Sequence, residues 1–172
     1  MFGLKLDTAA LEALAAELGS DTAFFVRNEL QMARGRGEML EPLALPLAGI
    51  GIVIVKLPVS VSTAQAYAGV TPRQPQKPLT ERLAVGMESW RATVTNAFEP
   101  SVFATHPELA ALKERLYALG ADYAAMSGSG SALFGLFGKS EAVQSGTARA
   151  AQVAERLKNE YSDSFVYSGS LA

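Results

Sequence analysis

Residues Asp122 to Phe137 read DYAAMSGSGSALFGLF, two apolar runs separated by small residues. The pattern predicts strands over Asp122–Met126 and Ala132–Phe137, joined through Gly128-Ser-Gly-Ser131. A slack Gly/Ser linker would connect autonomous units and carry no pattern. This stretch joins neighbouring strands of one domain, which argues against a linker. Two readings stay open on local grounds. One is a tight turn. The other is a nest of uncovered backbone N–H groups, supplemented by serine hydroxyls, that holds phosphate oxygens.

The flanks extend the pattern. Upstream, Leu109, Leu112, Leu116 and Leu119 recur at helical spacing, and Gly120 ends that helix. Thr105-His-Pro-Glu108 has the form of a capping box, with Thr105 as the cap. Downstream, Ser140 is placed to cap a helix reaching about Asn159, with Val143, Val153 and Leu157 inward, and Ser164–Tyr167 makes a last strand. Gly51–Leu57 predicts a buried strand that opens the unit. Between lies an insertion over residues 58–105. It holds a short helix after Val61-Ser-Thr63, a proline-rich loop at Thr71–Pro78 and helical residues around Leu79–Thr95. The order strand, helix, strand, strand, helix, strand is the split βαβ, or ferredoxin-like, α+β plan.

Residues 1–48 read differently. Leu11, Leu14, Ala15 and Leu18 mark a helix capped by Asp7 or Thr8 and ended by Gly19. Ser20–Val26 is short and β-prone, and Leu30–Leu43 predicts a hairpin turning at Arg34-Gly-Arg-Gly-Glu38. No core of their own is visible in these residues. They read as the tail of another α+β domain, with a boundary near Ala48 and a second domain over residues 49–172.

Composition narrows the function. With 49% hydrophobic and 19% charged residues, the chain can bury a real core. No apolar run nears the roughly 20 residues of a membrane span, and Met1-Phe-Gly-Leu4 has no secretory pattern. Zero cysteines exclude disulfides, thiol catalysis and Cys-ligated zinc. A net charge of −2 lacks the basic stripe of a nucleic-acid partner but leaves small anions open. These features fit a cytoplasmic protein. Gly138-Lys-Ser140 imitates the end of a P-loop, but the required earlier glycine position holds Leu133.

Five stretches carry a resemblance: LGSDTAFF (Leu18–Phe25), GRGEMLEPL (Gly35–Leu43), VSTAQAY (Val61–Tyr67), NAFEPSVF (Asn96–Phe103) and MSGSGSALFGLF (Met126–Phe137). In their order and spacing the chain resembles the 4-diphosphocytidyl-2-C-methyl-D-erythritol kinases. These belong to the superfamily of galactokinase, homoserine kinase, mevalonate kinase and phosphomevalonate kinase. The resemblance implies ATP- and Mg2+-dependent phosphorylation of the 2-hydroxyl of a cytidine-diphosphate-linked polyol, a step towards isoprenoid precursors. It implies Asp21 as the catalytic carboxylate. It implies Gly128, Ser129, Gly130 and Ser131 as the phosphate loop, Thr63 as a polar contact to the cytidine, and Tyr67 as a ring stacked on the base.

The resemblance has gaps. The family's opening segment, with its catalytic lysine and main ATP loop, has no counterpart here, so the chain is expected to be a carboxyl-terminal part with little activity alone. Ala23 stands where the family often has proline, and Ala97 where it usually has aspartate.

Without the resemblance, Asp21 reads as a turn or capping residue, Tyr67 as packing, and Thr63 as the cap of its own helix. Trp90 reads as a packing anchor. Arg34 and Arg36 read as solvated surface, and the lone histidine, His106, carries no metal or acid–base role. The alternative function is a non-catalytic ferredoxin-like module that binds a ligand or forms a homodimer. An exposed apolar patch near Phe24, Phe25 and Leu30 would drive such association.

Overall fold

The apolar runs at 123–137 form the antiparallel hairpin they predict in the computed structural model, which describes residues 6–19, 21–139 and 145–171. The chain divides into two compact units, Met1–Pro46 and Leu47–Ala172.

In the first unit, α1 (Thr8–Leu18) is capped by Asp7, whose carboxylate accepts the Ala10 N–H at 2.8 Å. The segment read as β-prone turns instead at residues 21–23 and continues as α2 (Phe24–Arg27). Thr22 explains the difference. Its hydroxyl donates to the carbonyls of Gly19 and Ala15, so the chain folds back on the end of α1. The hairpin forms as expected from β1 (Gln31–Arg34) and β2 (Met39–Pro42), which pair only with each other. Among the described residues of this unit only Ala23 is buried. Leu11, Leu14, Leu18, Phe25, Leu30 and Met39 are all exposed, including two of the three residues of the anticipated apolar patch.

The second unit is built on a four-stranded sheet of β3 (Gly51–Lys56), β4 (Tyr123–Met126), β5 (Ala132–Phe137) and β6 (Phe165–Ser170). Its order is β4-β5-β3-β6 with every neighbour antiparallel. Hence β3 and β4 run parallel with β5 between them, and β5 and β6 run parallel with β3 between them. The α+β class is as expected. Between β3 and β4 the chain forms α3 (Thr63–Ala68), α4 (Leu79–Ala84), α5 (Met87–Thr93), α6 (Glu99–Thr105) and α7 (Pro107–Ala118). Helix α8 (Gly146–Glu160) links β5 to β6. No helix among the described residues is long and apolar enough to cross a membrane.

The core joins one face of the sheet to α7 and α8. Val53 and Val55 meet Leu109, Leu112 and Leu116 of α7 and Ala150, Val153, Ala154 and Leu157 of α8. Each fully buried leucine contributes about 1.5–3 kcal/mol relative to exposure. On the other face Trp90 of α5 is buried, packs edge-on against Tyr123 at 5.7 Å and donates to Leu83 O, the anchoring role its sequence position suggested.

Three local expectations are corrected. The capping box at Thr105 does not form, because the Thr105 hydroxyl donates back to Val102 O within α6. His106 occupies the cap position of α7 with no side-chain cap bond, and its ring meets Glu108 at 3.2 Å. Helix α6 had no counterpart in the sequence reading. The last helix starts at Gly146, capped by Ser145, whose hydroxyl accepts the Ala148 N–H at 3.2 Å. Ser140 and Val143, assigned earlier to that helix, lie outside the described residues.

Helix α8 seats on the sheet through two glycines. A Cβ on Gly51 would lie 2.0 Å from Gly146 O, and one on Gly146 would lie 2.0 Å from Phe137 O. Both obstacles are backbone, so neither can swing aside. Gly146→Ala is therefore expected to cost about 3 kcal/mol, the upper end of overpacking penalties. Gly128→Ala has open space but sits at φ +54°, and is expected to cost about 1–2 kcal/mol. Urea unfolding of the two variants checks the ranking.

Candidate active site

The β4–β5 turn closes with Ser127 N donating to Ala132 O at 2.8 Å and Gly130 N to Ser127 O at 3.0 Å. Gly128 and Gly130 both have positive φ. A Cβ on Gly130 would strike Met126 Sδ at 2.7 Å, whereas Gly128 faces open space. The backbone N–H groups of Gly128 and Ser129 have no acceptor among the described residues. The turn and the nest are therefore compatible, since one geometry supplies both.

Side chains distant in sequence hold this loop. Asn96 donates from Nδ2 to Met126 O and to Gly128 O, both at 2.8 Å, while its Oδ1 accepts the Phe98 N–H at 2.9 Å. Glu99 is 7% exposed. Its Oε1 accepts the Met126 N–H at 2.8 Å, and its Oε2 accepts from Lys113 Nζ at 2.6 Å. The Ser131 hydroxyl donates to Val59 O, which also accepts from Lys56 Nζ at 2.6 Å. The loop is thus fixed from both sides, as a preorganised donor site requires.

Helix α3 meets the loop. Ser62 rather than Thr63 caps it, through a long contact of 3.5 Å to Gln65 N, which corrects the capping role considered for Thr63. The Thr63 hydroxyl turns instead to Ser129 Oγ at 3.4 Å, beyond an ordinary hydroxyl hydrogen bond. Tyr67, one turn further along, is 65% exposed, and its ring stands edge-to-face on Phe98 at 4.9 Å. Phe98 leads back to Asn96 and so to Gly128. Within the second unit the structure therefore brings together Thr63, Tyr67 and Gly128–Ser131.

Asp21 belongs to the first unit. It is exposed in the turn before α2, and its carboxylate has no hydrogen-bond partner among the described residues. Ala23 is buried beside it. Arg36 is exposed, and Arg34 makes only an exposed pair with Glu41 at 3.3 Å. The P-loop decoy is inert on its own terms, since Gly138 N–H already donates to Asp122 Oδ2 at 2.7 Å. No group of three or more His, Asp and Glu side chains is gathered for a metal ion among the described residues. Sequence reasoning quoted Asn96 and Glu99 within a motif but gave them no role, and it passed over Lys113. A polar Asn-x-x-Glu ahead of a proline was the available signal.

Comparison with known proteins now bears on this geometry. Residues 79–163 match the family model described as GHMP kinases C terminal.

Over that stretch the chain is similar to the C-terminal part of GHMP kinases.

Relatives of this chain include a 4-diphosphocytidyl-2-C-methyl-D-erythritol kinase from Parabacteroides distasonis. That protein is 44% identical over 137 residues, covering 80% of this chain and 51% of the relative. A protein of the same name from Solidesulfovibrio magneticus is 43% identical over 143 residues, covering 78% of this chain and 48% of the relative. The crystal structure of a 4-(cytidine 5'-diphospho)-2C-methyl-D-erythritol kinase superposes with a TM-score of 0.75 at 32% identity, over 99% of this chain and 60% of the other. Homoserine kinase from Cytophaga hutchinsonii, at 17% identity and TM-score 0.66, shares the fold. The chain spans about half the length of the curated relatives it matches.

Two predictions follow from the loop's supports. Glu99→Ala leaves Lys113 and the Met126 N–H without their acceptor, and is expected to cost about 3–5 kcal/mol in urea unfolding. The second concerns Tyr123, whose hydroxyl donates to Val94 O at 3.1 Å just before Asn96. Burial, with smaller contributions from Glu99 and Tyr117, holds its phenol well above the usual tyrosine range. The folded pKa is raised, so its stabilisation is complete below the unfolded value of about 10 and fades as pH rises beyond it. Unfolding free energy should fall above about pH 10, and Tyr123→Phe should flatten that decline.

Proposed function

We propose that this chain is part of an ATP-dependent kinase that phosphorylates the 2-hydroxyl of 4-diphosphocytidyl-2-C-methyl-D-erythritol, a cytoplasmic step towards isoprenoid precursors. The observation that carries the reading is the approach of Thr63, on the helix that also bears Tyr67, to Ser129 of the loop at 3.4 Å. The identity of the relatives supports it.

The loop's residues suit phosphate. Gly128 and Ser129 offer N–H donors, Ser129 adds a hydroxyl, and the Asn96 and Ser131 anchors keep the donors from relaxing. The open face of Tyr67 suits a pyrimidine, and Thr63 suits its polar edge. Asp21, exposed and without a partner among the described residues, suits a carboxylate that orients the acceptor alcohol and receives its proton. ATP with Mg2+ supplies the phosphoryl group and neutralises phosphate charge.

A second reading is favoured by the exposed apolar residues of the first unit, among them Phe25 at 71% exposure. Here the chain is a ligand-binding or homodimeric module without turnover. Calorimetric titration of the 172-residue chain with the cytidylyl polyol, alongside light scattering, separates the two readings. Substrate binding supports the kinase reading, and a stable dimer that binds neither substrate nor ATP supports the module.

Tyr67→Ala is expected to weaken binding of the cytidylyl polyol by about 1–3 kcal/mol, roughly five- to 150-fold. In a version extended to the relatives' full length, Asp21→Asn is expected to lower kcat by about 100- to 10,000-fold while leaving KM similar. An unchanged kcat removes Asp21 from the chemistry.

A further inference from the structure

A cavity of about 780 Å3 opens between the proline-rich segment after α3 and the strand-like residues that precede Asn96. Its lining includes Arg73, Arg82, Thr71, Thr95, Ala97 and Pro100, and no carboxylate. Neither arginine is paired with an Asp or Glu among the described residues. Two guanidinium groups facing one cavity without counter-charge repel each other, an arrangement that an anion relieves.

Arg82 adds a more specific observation. Its Nη1 donates to Thr93 O at 2.7 Å, which fixes the plane of the group. Its Nε is buried and has no acceptor. Among the described residues the side-on edge of the fork, Nε with Nη2, is therefore unused. Arg115 shows what that edge takes, since its Nε and Nη2 grip the two oxygens of Glu160 at 2.8 and 2.5 Å. A planar fork of this kind matches two oxygens of one carboxylate or phosphate. A buried donor without an acceptor is costly enough to call for an explanation. Thr71 and Thr95, also in the lining, carry hydroxyls suited to a group rich in oxygens. The volume exceeds that of a lone carboxylate and accommodates a phosphate or diphosphate.

We propose that this cavity is a binding site for a phosphate-bearing anion, with Arg82 as the bidentate ligand and Arg73 as the second cation. The site is separate from the glycine–serine loop, to which Ala97 connects it through Asn96. It stands whether or not the cytidylyl polyol is the substrate. The anion is either the diphosphate of a bound nucleotide or a free phosphate compound.

Calorimetry on the 172-residue chain with pyrophosphate, cytidine diphosphate and cytidine tests the proposal. Pyrophosphate is expected to bind, and the Arg73→Gln/Arg82→Gln double variant to bind it about tenfold more weakly or worse. Ala97→Asp, which puts a carboxylate into the lining, is expected to do the same. If cytidine diphosphate weakens in parallel while cytidine does not, the anion is the nucleotide's diphosphate. If pyrophosphate alone weakens, it is a free anion. Should Arg82→Gln prevent folding by thermal denaturation, Arg73→Gln and Ala97→Asp carry the test. The proposal is overturned if wild-type chain binds neither phosphate compound, or if binding is unaltered in folded variants. Loss of cytidylyl-polyol binding with pyrophosphate binding intact would overturn the substrate reading alone.

Discussion

A buried carboxylate organises the second unit. Glu99 sits nearly out of water between an ammonium group and a backbone amide, Lys113 Nζ at 2.6 Å and Met126 N at 2.8 Å. A charge in that position is tolerable only while both donors are present. Because Met126 ends β4 and starts the glycine–serine turn, the carboxylate ties helices α6 and α7 to the loop. Asn96, three residues earlier, holds the next carbonyls of the same turn. The Thr63 contact to Ser129 and the Tyr67 contact to Phe98 both rest on backbone that these two side chains locate.

This arrangement explains why a loop of glycine and serine can serve as a site at all. Such residues leave donors uncovered but are conformationally free, and that freedom opposes binding. Here the freedom is removed from outside, by groups 27 to 72 residues away in sequence, the Glu99 carboxylate and the Val59 carbonyl among them. The loop keeps its bare N–H groups, and the surrounding elements supply the rigidity.

Much of the fold was legible. The strands at 51, 123 and 132 announce themselves by apolar runs beside glycines, the one at 165 by Phe-Val-Tyr after a polar stretch, and α7 by its leucines. Thr63, Tyr67 and the loop were named from resemblance, and the approach of Thr63 to Ser129 is a property of the fold that periodicity could not supply. What escaped reading has local causes. Ser20–Val26 has strand-like composition, but the Thr22 hydroxyl bonds back to α1, and the chain turns into α2 instead. Thr105 fits a capping box by spacing, yet a preceding helix that the sequence hid behind Pro100 claims its hydroxyl. Glu99 reads as one more charged residue at a helix start. Only the fold reveals that it is buried, because both of its partners come from elsewhere in the chain.

The interleaved sheet also shapes how the chain emerges from the ribosome. Strand β3 is central, yet both its neighbours are made later, with Val53 opposite Gly135 on one side and Ser168 on the other. More than a hundred residues separate β3 from its β6 partner, so one hydrogen-bonding edge stays unsatisfied until that last strand of the sheet is made. Through that interval an apolar Ile-Val-Ile-Val segment is only partly committed, the circumstance in which holding chaperones have most to protect.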